Sequence, residues 1–220
     1  MDSFWSLEYT HDSELPVDEY DLRTPHELAR RALDRWSEPG DRVLDPFAGY
    51  GTTLSVAESM DRVPFGVEYE PKRVAYARNH LDDPTRIRQG DLRTIDPSSL
   101  GRIDCCFTSP PFMEKTDSRN PFENYGGTSS YASYLDDIEN IFERLRSVFV
   151  PGARVILDIV NMKHEGRVTT LAWDVADRLS NQYSFDGEQV IVWEDTEDAT
   201  DGRYGYGFDH SYCLVFSVPE

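Results

Sequence analysis

The chain has 220 residues, a formal net charge of -19 and 39% hydrophobic residues, a size that suits one α/β domain with its own core. It has no run of 18 apolar residues, which excludes a spanning helix, and its acidic start, MDSFWSLEYTHDSE, lacks the basic and apolar pattern of a signal peptide. Cys105, Cys106 and Cys213 suggest no disulfide framework and have no His or Cys at ligand spacing, so they read as reduced core residues of a cytoplasmic protein that needs no metal.

Lys72, Lys115 and Lys163 are the only lysines, so arginine supplies 22 − 3 = 19 of the basic residues. An acidic, lysine-poor surface keeps a protein soluble in a high-salt cytoplasm, and a halophilic habitat is expected. A nucleic-acid binder ordinarily carries a basic face. In concentrated salt, counterion release contributes little to binding. The acidity therefore weakens that function class without removing it.

Residues 1–23 are polar and read as an N-terminal extension, with Phe4, Trp5, Leu7 and Tyr9 as docking points, before a single domain at 24–220. Thr24-Pro25-His26-Glu27 is a helix start, with Thr as the cap and Pro at the first position. Leu28, Ala32 and Trp36 then recur every four residues and give one apolar face. Pro39-Gly40 stops this helix. Arg42–Asp45 is a strand, and Pro46-Phe47-Ala48-Gly49-Tyr50-Gly51-Thr52-Thr53 follows it. Two glycines two apart, between strand and helix, let a ligand approach the backbone, and Thr52 is expected to cap the helix at 53–60. This is no phosphate loop, because G-K-[ST] is missing, and Leu54 breaks the dinucleotide fingerprint.

Val63–Glu68 is the next strand. Pro71 opens a helix with Val74, Ala75 and Ala77 inward, and a strand at 86–90 leads to Asp91. Acids thus follow three successive strands at 45, 68 and 91, each 23 residues after the last. The carboxyl ends of parallel strands line the ligand crevice of a doubly wound sheet, and a carboxylate after the second strand suits two ribose hydroxyls. Ile103–Phe107 is a buried strand. Thr108-Ser109-Pro110-Pro111-Phe112 ends it, because two prolines cannot continue a central strand. Residues 113–130 form a long aperiodic loop, read as a lid or substrate loop. A helix is expected from Tyr131 to Phe149, ended by Pro151-Gly152, with Leu135, Ile138, Phe142, Leu145 and Phe149 inside. A strand at 154–160, a helix at 170–179, a strand at 189–193, an acidic Gly-rich loop at 194–209 and a last strand at 211–218 complete the chain.

Two of these stretches carry a resemblance. Residues 45–53 resemble the D-P-F-x-G-x-G-T-T cofactor motif of S-adenosylmethionine-dependent amino-methyltransferases. Thr108-Ser109-Pro110-Pro111-Phe112 resembles their [DNS]-P-P-[YFW] motif in the T-S-P-P form typical of cytosine-N4 enzymes. The resemblance spans about residues 22–218. It implies a Rossmann-like class I methyltransferase fold, an α/β seven-stranded and mostly parallel sheet with helices on both faces and an antiparallel last strand. It implies S-adenosylmethionine held by Thr24, Pro25, Asp45, Phe47, Gly49, Gly51, Thr52, Thr53, Glu68 and Asp91, with Glu68 on the ribose and Asp91 on the adenine. The family often has Lys where this chain has Thr24. Ser109 and the Pro110 carbonyl would accept hydrogen bonds from the target amine, Pro111 would fix their direction, and Phe112 would stack on a flipped base.

The resulting expectation is methyl transfer to cytosine N4 in DNA, as in restriction-modification systems. RNA or adenine N6 is the alternative, because no separate segment reads a target sequence. Recognition then falls to the loops at 113–130 and 194–209, or to a partner such as a recognition subunit or nuclease. A non-catalytic nucleotide-binding module is disfavoured by the intact Ser109–Phe112 stretch, and a nicotinamide oxidoreductase by the incomplete glycine fingerprint.

Overall fold

A computed structural model describes residues 3–10, 23–123, 128–194 and 208–219. Ten strands and five α-helices alternate along these residues. They are β1 (Phe4–Glu8), α1 (His26–Trp36), β2 (Arg42–Asp45), α2 (Thr52–Ser59), β3 (Val63–Glu68), α3 (Pro71–Arg78), β4 (Ile87–Gln89), β5 (Ile103–Thr108), α4 (Tyr131–Leu145), β6 (Phe149–Ile159), β7 (Met162–His164), β8 (Arg167–Thr169), α5 (Leu171–Leu179), β9 (Ser184–Glu194) and β10 (His210–Ser217). Eight strands make one sheet in the order β1-β9-β10-β6-β5-β2-β3-β4, and β7 pairs with β8 separately. β10 runs antiparallel to both β6 and β9, and the other pairings in the main sheet are parallel. This is the class I methyltransferase arrangement, with the expected antiparallel last strand. The strand order reverses between β2 and β5, the switch point at which an open α/β sheet binds ligands.

The Ile103–Phe107 run is apolar on both faces because helices cover both faces of the sheet. Cys106 lies with Leu44, Val155, Ile138 and Phe142 under α4 and α5. Cys105 points the other way, to Val43, Ile156, Leu28 and Leu33 under α1. All three cysteines are free and buried. No described helix is long and apolar enough to cross a membrane.

The structure departs from the sequence pattern at several element ends. The eighth strand of the main sheet is β1, from the polar N-terminal stretch. It pairs parallel to β9 and inserts one buried residue, Leu7, while Trp5 packs on Trp36 and Tyr9 on Trp193. Phe4 stays exposed. Neither expected threonine cap forms: α1 is preceded by an extended Pro25 and α2 by Gly51 in the left-handed region, with no side-chain cap bond at either. Ala75 is exposed. Pro151-Gly152 does not end α4, which stops at Leu145; both residues lie within β6. Phe149 pairs with Ile103 and Arg154 with Cys105, so the residues between them form a bulge. A bulge tolerates proline because it needs no ladder N–H there. The hairpin β7–β8 is an element that the sequence pattern does not announce. The 194–209 loop lies mostly outside the described residues.

Candidate active site

A cleft of about 700 Å³ opens at the carboxyl ends of β2, β3 and β5. Its lining includes Thr24, Asp45, Phe47, Gly49, Thr52, Thr53, Glu68, Asp91, Ser109, Pro110, Pro111 and Phe112. Residues chosen from stretches up to about ninety positions apart therefore meet in one place. Two expected residues stand behind the lining. Pro25 is buried. Gly51 has φ +88, and a Cβ there would meet the Ala77 Cβ at 2.9 Å, so its glycine is required by the packing of α3 rather than by a ligand. Gly49 differs. It has φ +52, and a Cβ there would have only the Phe47 carbonyl oxygen within 4.0 Å. That Cβ would project into open space in the cleft, as expected where a ligand passes close to the backbone.

The buried Asp45 carboxylate ties the two halves of the site together. The Thr108 hydroxyl donates to Asp45 Oδ1 at 2.6 Å, and the Phe47 N–H donates to the same oxygen at 3.1 Å. Burial pushes the Asp45 pKa up to about 6, against the hydrogen bonds from Thr108, Thr53 and Phe47 that hold the anion. The sequence motif contains Thr108 but assigns it no role. It is fully buried and joins the strand that ends in Ser109 to the strand that ends in the glycine loop.

Glu68 closes β3 and is buried. It accepts from the Gly49 N–H at 2.8 Å and from the Glu70 N–H at 2.7 Å. A carboxylate offers about four acceptor positions, so Glu68 both shapes the loop and keeps capacity for a diol. Asp91 is gripped by the Arg93 side chain, with Nη2 at 2.8 Å and Nε at 3.1 Å from its oxygens. The side-chain hydrogen bond from Arg93 holds its carboxyl below the usual carboxylate range. Asp91 thus faces the cleft as a fixed anion.

The Pro-Pro turn is clamped from α4: the Tyr134 hydroxyl donates to the Pro111 carbonyl at 2.8 Å. Tyr134 in turn stacks on Phe122, which packs on Phe47, and Phe47, Phe112 and Phe122 all line the cleft. Among the described residues, no hydrogen bond engages the Ser109 hydroxyl. Sequence reasoning missed Tyr134 and Phe122, although the Tyr131/Tyr134 spacing on one helix face was a visible signal.

The described part of the 113–130 loop is fastened rather than free. Lys115 N–H donates to Thr169 Oγ1 at 3.0 Å, and Lys115 Nζ lies 2.9 Å from Asp174. Asn120 is fully buried and donates to Asp137 at 2.8 Å. Pro121 and Phe122 of the same loop line the cleft, where a lid or substrate loop would lie.

Residues 1–79 match the profile of the DNA methylase family. The type II methyltransferase M.HinfI of Haemophilus influenzae is 36% identical over 84 residues, which are 36% of this chain and 23% of that protein. The DNA adenine methyltransferase YhdJ of Escherichia coli is 31% identical over 90 residues, 40% of this chain and 31% of that protein. The chain thus matches less than a third of the length of these relatives. The crystal structure of TrmN from Thermus thermophilus superposes with a TM-score of 0.59 at 18% identity, covering 88% of this chain and 48% of the other. The RNA methyltransferase of Salinibacter ruber, solved in complex with S-adenosyl-L-homocysteine, superposes with a TM-score of 0.52 at 15% identity, covering 90% of this chain and 95% of the other, and the open approach at Gly49 and the diol-suited Glu68 fit a ligand of that kind. The chain has the fold of the class I S-adenosylmethionine-dependent methyltransferases, and its first 79 residues match the DNA methylase family.

Proposed function

We propose that the protein methylates the exocyclic amine of a nucleobase in DNA, with cytosine N4 as the target and adenine N6 as the alternative. The observation that carries this reading is the placement of Ser109-Pro110-Pro111-Phe112 in the same cleft as Asp45, Gly49 and Glu68. When bound, the cofactor supplies an electrophilic methyl group on a sulfonium. The chain's own residues then have to present a poor nucleophile. The lone pair of an aromatic amine is delocalised into its ring, so the nitrogen must be turned and desolvated. Ser109 Oγ and the Pro110 carbonyl accept its two N–H bonds and aim the lone pair at the methyl carbon. As the nitrogen–carbon bond forms and the carbon–sulfur bond breaks, these oxygens stabilise the positive charge that develops on nitrogen, and the amine proton then leaves to water. Phe112, with Phe47 and Phe122 nearby, holds the base by stacking. Thr108 and Tyr134 keep the turn rigid through Asp45 and the Pro111 carbonyl.

The type II methyltransferase and DNA adenine methyltransferase names of the two relatives support DNA as the substrate. The second of them is what favours keeping adenine N6 as a reading. Single-turnover assays on duplex oligonucleotides, with nucleosides resolved by mass spectrometry, distinguish N4-methylcytosine from N6-methyladenine. Ser109→Ala is expected to lower the transfer rate about 10- to 1000-fold, the range for losing one positioned partner, with cofactor affinity unchanged. Phe112→Ala is expected to weaken base capture by about 1–3 kcal/mol. Wild-type transfer rates in Ser109→Ala overturn the assignment of this turn.

A further inference from the structure

β7 and β8 form a two-stranded ribbon outside the main sheet. Its register pairs Met162 with Thr169, Lys163 with Val168 and His164 with Arg167. The turn between the strands is Glu165-Gly166, with φ values of 48° and 75°. Positive φ at both central residues is the tight two-residue turn that matches strand twist. Only the root pair, Met162 and Thr169, is buried; Lys163, His164, Glu165, Gly166, Arg167 and Val168 are all exposed. A lone hairpin is marginally stable in water, so this one depends on how its root is held.

The root is held by the segment that follows the Ser-Pro-Pro-Phe turn. Lys115 N–H donates to Thr169, and Glu114 lies 3.2 Å from His164 Nδ1. The ribbon is therefore fastened to the segment that directly follows the turn presenting Ser109. Arg31, Arg86, Arg93, Arg119, Arg154 and Arg178 each pair with a carboxylate. Lys163 and Arg167 have no carboxylate partner among the described residues. Exposed cations without a carboxylate partner also occur elsewhere among the described residues, at Arg30, Lys72 and Arg146 for example; the ribbon differs in carrying two of them on one projecting hairpin. Alternation along a strand sets Lys163 on one face and His164 with Arg167 on the other. In a chain of net charge -19 with three lysines, two unpaired cations sit on opposite faces of one projecting ribbon.

We propose that this ribbon enters the groove of duplex DNA beside the flipped base, with Lys163 and Arg167 contacting phosphates on the two walls. The major groove admits a two-stranded ribbon, and cations on both faces meet both strands. The inference rests on the amino-methyltransferase reading above.

The test uses Lys163→Ala/Arg167→Ala, with Arg30→Ala/Arg146→Ala as a control of equal charge loss at exposed positions elsewhere. Fluorescence anisotropy with a labelled duplex is recorded across a potassium chloride series, and S-adenosylhomocysteine affinity is measured alongside. The ribbon variant is expected to bind the duplex about 10- to 100-fold more weakly at low salt, with the slope of log K against log salt reduced by about 2. Its S-adenosylhomocysteine affinity stays at the wild-type value, and the control keeps the wild-type slope. If the ribbon variant behaves as the control does while the wild type methylates DNA, the inference is overturned and the amino-methyltransferase reading stands. A wild type that modifies unpaired strands and does not bind duplex also overturns the inference and leaves that reading in place. A wild type with neither transfer nor binding removes the reading and the inference together.

Discussion

Two buried carboxyls sit at strand ends in different surroundings. Asp45 accepts from Thr108 and Phe47, so its charge is compensated in part and its pKa reaches about 6. Among the described residues, Asp158, in β6, accepts a side-chain hydrogen bond only from the Ser211 hydroxyl at 3.3 Å, and burial pushes its pKa up to about 7. A folded pKa above the unfolded value of 3.8 means that the native state binds more protons between those two values. Stability is then highest at low pH and falls as pH rises from about 4 to 7. The full difference corresponds to roughly 4 kcal/mol. Asp158→Asn should therefore raise the melting temperature at pH 8 and leave it unchanged at pH 4. Equal shifts at both pH values would mean that the carboxyl's ionisation is not what the fold resists.

The glycine loop, an element of a few residues, does two separate jobs. Gly51 lets α3 pack against the start of α2, because any Cβ collides with Ala77. Gly49 leaves the floor of the cleft open. Gly51→Ala should lower stability by about 1–3 kcal/mol, from strain in the left-handed region together with the clash, measured by urea denaturation. Gly49→Val carries backbone strain without the clash. It should fold and lose S-adenosylhomocysteine binding in calorimetric titration. Retained affinity in Gly49→Val would place the cofactor elsewhere.

Across the whole molecule, 41 acidic against 22 basic residues leave the surface self-repelling. Salt shortens the Debye length from about 10 Å at 0.1 M to about 3 Å at 1 M. We propose that the charge is an adaptation to high salt, and the melting temperature should then rise over that interval. A flat profile argues against the habitat reading. The same field bears on the proposed DNA substrate: a polyanion approaching a -19 protein is repelled, and the proposed contact at the β7–β8 ribbon would offset that repulsion locally.

The sequence alone determined the succession of strands and helices, which follows from hydrophobic periodicity and from the breaks that Gly and Pro impose, all local properties of the chain. The parallel sheet with its antiparallel last strand and the roles of the motif residues came from the resemblance that the motifs at 45–53 and 108–112 carry. Tertiary structure alone decided which groups restrain one another. Thr108 reaches Asp45 across 63 positions, Tyr134 reaches Pro111 across 23 and Lys115 reaches Thr169 across 54, and no local pattern encodes such pairings. It also decided that Gly51 serves helix packing while Gly49 serves the cleft, because Ala77 comes near only once α3 has folded back onto the sheet. β1 was hidden for a related reason: an edge strand with a single buried residue, Leu7, has too weak an alternation to announce itself, and its pairing with β9 joins opposite ends of the chain.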